Sequence, residues 1–299
     1  MPLSFPHLIR RSSLLHFALA ASLAWSANLA KAGETHVDLE YAKVDNSTLY
    51  VDLYLPSTQG KAPLIVYLHG GAWRAGNRKD VPVKPFVEKG YAVASVEYRL
   101  STQAPFPAQI YDVKAAIRFL RAKADSYHLD ANRFIVAGSS AGGHLAAEVA
   151  VANGNKELEG SEGEYLSQSS DVQACVTYFG ASNLQTLLSQ SSEQTQKMRK
   201  PALQFLLGGQ PDEKPELAQL ASPVAHVSAS SPPMIWLHGD QDPQMPPPQA
   251  DEMKAAYEKA GRPFKLVLIP GAKHGGKVFY DAEHVEMVQQ FLDANLPAK

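Results

Sequence analysis

Apolar runs of strand length alternate along this chain with stretches of helical character. Pro63–Leu68, Tyr91–Tyr98, Arg133–Ala137, Val172–Phe179, Met234–Leu237 and Phe264–Pro270 are near-continuous apolar segments, the pattern of strands buried on both faces. Helix-forming stretches over Val83–Lys89, Pro107–Ala124, Ala141–Ala152, Pro248–Ala260 and Val278–Ala294 lie between or after them. Prolines open the stretches at 107 and 248, and Gly90 and Gly261 follow those ending at 89 and 260, as helix termini prefer. Nearer the N-terminus, His36–Lys43 and Thr48–Leu55 alternate apolar and polar residues around the turn residues Asp45-Asn46-Ser47. That is the signature of an antiparallel pair at a sheet edge. Together these elements predict an α/β fold, with a mostly parallel, doubly wound sheet covered by helices on both faces.

Two polar stretches interrupt the rhythm. Asn153–Asp171 is rich in Gly, Ser and Glu and reads as an exposed loop. Asn183–Ser222 carries weak helical patterns of mixed polarity, with Lys197, Arg199 and Lys200 clustered. Its position after a strand would let it overhang the carboxyl ends of the sheet. It reads either as a small cap or as an ordinary surface excursion.

The chemistry sits where strands end. Gly138-Ser139-Ser140-Ala141-Gly142 follows one apolar run and opens a helical stretch. A serine at the apex of a tight strand-to-helix turn is a nucleophile elbow, and small neighbours let strand and helix approach closely. The helix start behind Ser140 presents free N–H groups that favour developing negative charge. An earlier strand ends in His69-Gly70-Gly71-Ala72-Trp73, a loop of the kind that completes an oxyanion hole. Gly71, Ala72 and Ala141 are the expected donors, with His69 bracing the loop. Trp73 is a candidate substrate-binding residue, although packing beneath the site is the stronger reading.

On such a fold the acid and base follow the serine in that order. The strand at Met234 runs into His238-Gly239-Asp240-Gln241-Asp242-Pro243, and the strand at Phe264 runs into Gly271-Ala272-Lys273-His274-Gly275-Gly276. Carboxylate and imidazole thus fall on consecutive strand-end loops, where doubly wound proteins place their chemistry. Asp242 is the expected acid and His274 the expected base, with Asp240 the rival acid. Pro243 restricts the backbone before it and would hold Asp242 in a fixed direction. His144, His226 and His284 lie outside this constellation.

Composition suits a globular domain: 299 residues, 45% of them hydrophobic, with a formal net charge of −2. That balance gives no reason to expect a nucleic-acid partner. No Cys/His cluster has metal-ligand spacing, and the lone Cys175 has no intramolecular disulfide partner. The N-terminus differs in kind. Arg10-Arg11, an apolar stretch from Leu14 to about Trp25 and then Ala30-Lys31-Ala32 describe a secretory signal, cleaved after Ala32. Residues 1–32 are therefore expected to be removed, leaving a domain over 33–299 in the periplasm or outside the cell. The apolar stretch is too short and interrupted for a membrane span. The paired arginines leave a twin-arginine route open.

Taken with the elbow and the triad loops, the segments His69–Gly76, Val96–Leu100, Ala104–Gln109, Gly138–Leu145, Ala221–Val224 and His274–Gly276 carry a resemblance. The chain resembles the α/β-hydrolase superfamily, specifically bacterial carboxylesterases of the bifunctional feruloyl/acetyl-xylan esterase type. The resemblance implies ester hydrolysis through an acyl-enzyme at Ser140 without a cofactor, and it fixes neither the acyl group nor the alcohol; small-molecule or polysaccharide-linked esters of short-chain acyl or aryl type, acetyl and feruloyl among them, are all compatible. At Ala72-Trp73 the sequence departs from the hormone-sensitive-lipase pattern, which continues in glycine, so that group's preferences do not carry over. Two alternatives remain: a peptidase or amidase on the same fold, and a secreted binding protein without activity. Prolyl peptidases carry an added propeller for which residues 33–299 leave no room, and inactive relatives lack a triad member. Oligomeric state is left open.

Overall fold

The computed structural model describes residues 1–3 and 33–298; the expected signal segment and its cleavage site lie outside the described residues. Eight strands form one sheet: β1 (Thr35–Val44), β2 (Ser47–Tyr54), β3 (Ala62–Leu68), β4 (Ala92–Val96), β5 (Leu129–Ser139), β6 (Ala174–Tyr178), β7 (Met234–Gly239) and β8 (Phe264–Ile269). Their spatial order is β1-β2-β4-β3-β5-β6-β7-β8. β1 and β2 pair antiparallel, as does β2 with β4, and every pairing from β4 through β8 is parallel. The expected edge hairpin is present. Its β1 ladder breaks twice, between His36 and Leu39 and between Glu40 and Ala42, with Asp38 at φ +55°.

Among the described residues six α-helices accompany the sheet: α1 (Ala108–Ala122), α2 (Ala141–Val151), α3 (Glu193–Leu207), α4 (Pro215–Leu220), α5 (Pro248–Lys259) and α6 (Ala282–Asn295). Successive residues of a strand point to opposite faces, and two apolar layers follow from this. Leu64, Val66 and Leu68 of β3 join one core with α1, α2 and α5. Ile65 and Tyr67 join the other with Val288, Phe291 and Leu292 of α6. Among the described residues no helix is long and apolar enough to cross a membrane.

Three expectations change. The Val83–Lys89 helix shrinks to a 3-10 turn, Lys84–Val87. The helix expected over Val278–Ala294 divides into a 3-10 turn, Lys277–Tyr280, and α6. Asp281 adopts an extended backbone between them and caps α6, its side chain accepting the His284 N–H. The stretch Asn153–Asp171 is anchored rather than free. Glu159 accepts from Arg118 Nη1 at 2.6 Å, Lys114 Nζ at 2.9 Å and Ser170 Oγ at 2.7 Å, and both cations are buried on α1.

The site is set where the strand order reverses. β3 lies between β4 and β5, and Leu68 registers with Gly138. The loop after β3 and the elbow after β5 therefore leave the sheet side by side, as expected at a topological switch point.

Candidate active site

Ser140 stands between β5 and α2 at φ +55° and ψ −118°. A non-glycine residue in that region stores about 1–3 kcal/mol and needs surrounding bonds to hold it. The Ser140 N–H donates to the Tyr178 carbonyl, and its own carbonyl accepts from His144 N–H, each at 2.9 Å. The close approach of α2 to β3 depends on Gly142, where a Cβ would run into the Leu68 and His69 carbonyl oxygens.

Ser140 Oγ lies 2.8 Å from His274 Nε2. On the other side of the ring, His274 Nδ1 lies 2.7 Å from Asp242 Oδ2. The second carboxylate oxygen, Oδ1, accepts N–H bonds from Gln244 at 2.8 Å and Met245 at 2.9 Å. Asp242 is buried, so it has no competing water shell. Asp240 instead faces solvent and caps a turn, accepting from Gly271 N–H at 2.7 Å. The three residues expected from strand order are thus brought together, and the rival acid is not. Such a chain can pass the serine proton to the imidazole while the carboxylate fixes the tautomer.

The loop after β3 runs through three left-handed residues, Gly71 at φ +121°, Ala72 at +52° and Trp73 at +60°. Only glycine fits the first, because a Cβ there would strike the Ala75 carbonyl. The Gly71 carbonyl accepts from Arg74 and Ala75 N–H, and Trp73 accepts from Ser101 N–H at 2.7 Å. Among the described residues no hydrogen bond uses the Gly71 or Ala72 N–H, and Ala141 begins α2, so its N–H has no helical partner. Three candidate donors therefore border Ser140.

Trp73 is corrected. It is fully buried, its Nε1–H donates to His144 Nδ1 at 3.1 Å, and it presents nothing to the pocket. His144 in turn bonds the Ala221 carbonyl through Nε2 at 2.8 Å. Burial pulls the His144 pKa down to about 4, opposed by that carbonyl. The same arrangement recurs beneath the acid: Trp236 Nε1–H donates to His238 Nδ1, whose Nε2 bonds the Met245 carbonyl at 2.8 Å. Burial lowers the His238 pKa as well. His69 is also buried, stacks on Tyr98 with centroids 4.4 Å apart, and contacts the Gly70 carbonyl at 2.7 Å. Its bracing role accords with a pKa lowered by burial.

A cavity of about 780 Å³ opens above Ser140 and His274. Two features of its wall escape sequence reasoning. Tyr67, Ser139 and Tyr280 share their hydroxyls, with Ser139 Oγ 2.8 Å from one phenol and 2.6 Å from the other. These residues lie 72 and 141 positions apart, and Tyr280 ends the 3-10 turn that precedes Asp281. Arg199 also lines the cavity, 5% exposed on α3. Its Nε donates to the Gln244 carbonyl at 3.1 Å. Burial lowers its pKa, opposed by the nearby Asp242 charge. Of the cations clustered at 197–200, Arg199 is the one that lines the cavity.

Known proteins resemble this chain in sequence and in fold. Esterase LipQ of Mycobacterium tuberculosis is 31% identical over 219 residues, covering 72% of this chain and 50% of LipQ; the chain thus spans about half the length of that curated relative. A truncated carbohydrate esterase from gut microbiota superposes with a TM-score of 0.79 at 31% identity, covering 90% of this chain and 98% of that one. The propionate-bound esterase Est2 of Thermogutta terrifontis gives a TM-score of 0.72 at 27% identity, over 89% of this chain and 96% of its own. The sheet is that of the α/β-hydrolase esterases. With the family profile matching residues 51–257, the chain belongs to the BD-FAE family.

Proposed function

We propose that the protein is a secreted serine carboxylesterase that cleaves short acyl or aryl esters of the acetyl or feruloyl type. The observation that carries this reading is the unbroken hydrogen-bond chain from Ser140 Oγ through His274 to the buried Asp242. His274 takes the Ser140 proton as the oxygen attacks the ester carbonyl. The carbonyl oxygen becomes an oxyanion against the N–H groups of Ala141 and of Gly71 or Ala72, each such donor being worth about 3 kcal/mol. His274 then protonates the leaving alcohol, and later activates the water that releases the acid from Ser140. No step calls on a cofactor. Named esterases among the relatives, and a neighbour solved with propionate bound, support an ester rather than an amide substrate. Residues 183–222, which bring Arg199 to the pocket wall, serve as a partial cap.

Ser140→Ala should lower ester turnover by about three orders of magnitude or more while the fold is kept. Mass spectrometry after an organophosphate should find one adduct, on Ser140. An adduct on Ser139, or an active alanine variant, refutes the assignment. Export is read from residues 1–32, and N-terminal sequencing of protein recovered outside the cytoplasm should begin near Gly33. Recovery of intact Met1 protein from the cytosol alone refutes export.

A further inference from the structure

The pocket above Ser140 holds a cation that spends almost none of its hydrogen-bonding capacity. Arg199 is 5% exposed, yet among the described residues only its Nε–H is used, on the Gln244 carbonyl. Nη2 is sealed from solvent without a partner, and Nη1 makes no hydrogen bond either. A guanidinium carries five donors in a fixed planar fork, so four N–H groups have no protein partner among the described residues, and the two on Nη2 are shut away from water as well. The nearest anion cannot serve them. Asp242 gives Oδ1 to the Gln244 and Met245 amides and Oδ2 to His274. The other charged residues lining the cavity, Asp80 and Lys277, are exposed, and neither carboxylate comes within ion-pair distance of Arg199 among the described residues.

We propose that Arg199 is the receptor for a carboxylate carried by the substrate, so that the preferred esters are anionic in either their acyl or their alcohol part. A neutral carbonyl or hydroxyl would take one N–H and leave the charge uncompensated. A carboxylate accepting from the open Nη1 cancels it, in a charge-assisted hydrogen bond stronger than a neutral one. The position is also apt. Arg199 is pinned to Gln244, whose N–H holds Asp242, so an anion docked there is registered against the same loop that orients His274. The inference rests on the esterase reading and narrows its substrate class.

The test measures kcat/KM of the full chain on two matched pairs, each normalised to its alkaline hydrolysis rate. 4-Nitrophenyl hemisuccinate against 4-nitrophenyl butyrate places the carboxylate on the acyl side, and 3-acetoxybenzoate against phenyl acetate places it on the alcohol side. The anionic member should win by about tenfold or more in at least one pair, as a charge-assisted hydrogen bond permits. Arg199→Met should bring that ratio to near one whatever becomes of the neutral rate, and Arg199→Lys should retain part of it. Wild-type ratios near one in both pairs overturn the proposal, and they decide the matter even if neither variant folds. A ratio unchanged in Arg199→Met also overturns it, leaving Arg199 a brace for the Gln244 loop. Organophosphate labelling of Ser140 in the same samples separates the failures. Labelled enzyme that turns over neutral esters without an anionic preference sinks the carboxylate receptor alone, whereas unlabelled protein without turnover sinks the esterase reading as well.

Discussion

Acid should loosen this protein at His144. The neutral ring accepts the Trp73 indole N–H at Nδ1 and donates from Nε2 to the Ala221 carbonyl. Protonation would place an N–H on Nδ1, facing the Trp73 N–H, in a fully buried position. The pKa accordingly falls from the ordinary 6.5 to about 4, with burial as the cause. Between those values the unfolded chain binds the proton and the folded chain does not, so stability rises with pH through that window. At about 1.4 kcal/mol for each tenfold in the equilibrium, the loss on going from pH 7 to pH 4 is about 3 kcal/mol from this residue alone. His238 and His69, also lowered by burial, add in the same direction. Glu148 on the same helix is pushed up by burial, with Lys114 opposing, and acts oppositely, its stabilisation fading as pH rises above the carboxylate range. The informative quantity is therefore a difference. Urea unfolding of the wild type and of His144→Gln, whose amide offers both a donor and an acceptor, should be followed between pH 7.5 and about 4.5. The variant should start less stable and show a much shallower slope. Parallel curves would refute the reasoning.

Asp242→Asn should lower kcat by about four orders of magnitude through the wrong imidazole tautomer, while Asp240→Asn changes it little; steady-state kinetics with the order reversed would sink the acid assignment. Gly142→Ala puts a methyl group against the Leu68 and His69 carbonyls, so α2 must shift, with a cost of about 1–3 kcal/mol in thermal or urea unfolding and about 100-fold in kcat from a displaced Ser140. A variant with wild-type Tm and rate would contradict that packing. Acyl chain length should not help beyond butyrate, because about 0.8 kcal/mol per methylene is gained only where a groove buries it; specificity constants climbing steadily from acetate to palmitate would contradict this.

The features legible in the sequence are those written locally. Apolar runs marked the parallel strands, and Gly138-Ser139-Ser140-Ala141-Gly142 marked the elbow, because backbone crowding there dictates small residues. The order of Ser140, Asp242 and His274 at the carboxyl ends of β5, β7 and β8 was enough to bring them together once the sheet is parallel. Features made by distant partners stayed hidden. Arg199 reads as one of three clustered cations until the Gln244 carbonyl, 45 residues on, is seen to hold it. Tyr280 reads as part of a helix that the Asp281 cap in fact begins only afterwards. Glu159 looks like loop composition, yet it neutralises two cations buried on α1. In each case the deciding contact crosses elements that local patterning treats as independent.

The broken ladder of β1 bears on how copies of the protein meet one another. An outer strand of regular pitch would invite another chain to extend the sheet. Here the two interruptions in the pairing and the left-handed Asp38 divide the outward row of donors and acceptors into pieces too short to template a partner strand. Asp38 is held in that conformation by its N–H bond to Asp52 Oδ1 at 2.9 Å and by its ion pair with Arg78. Colloidal tolerance on this flank is thus secured by an irregular backbone.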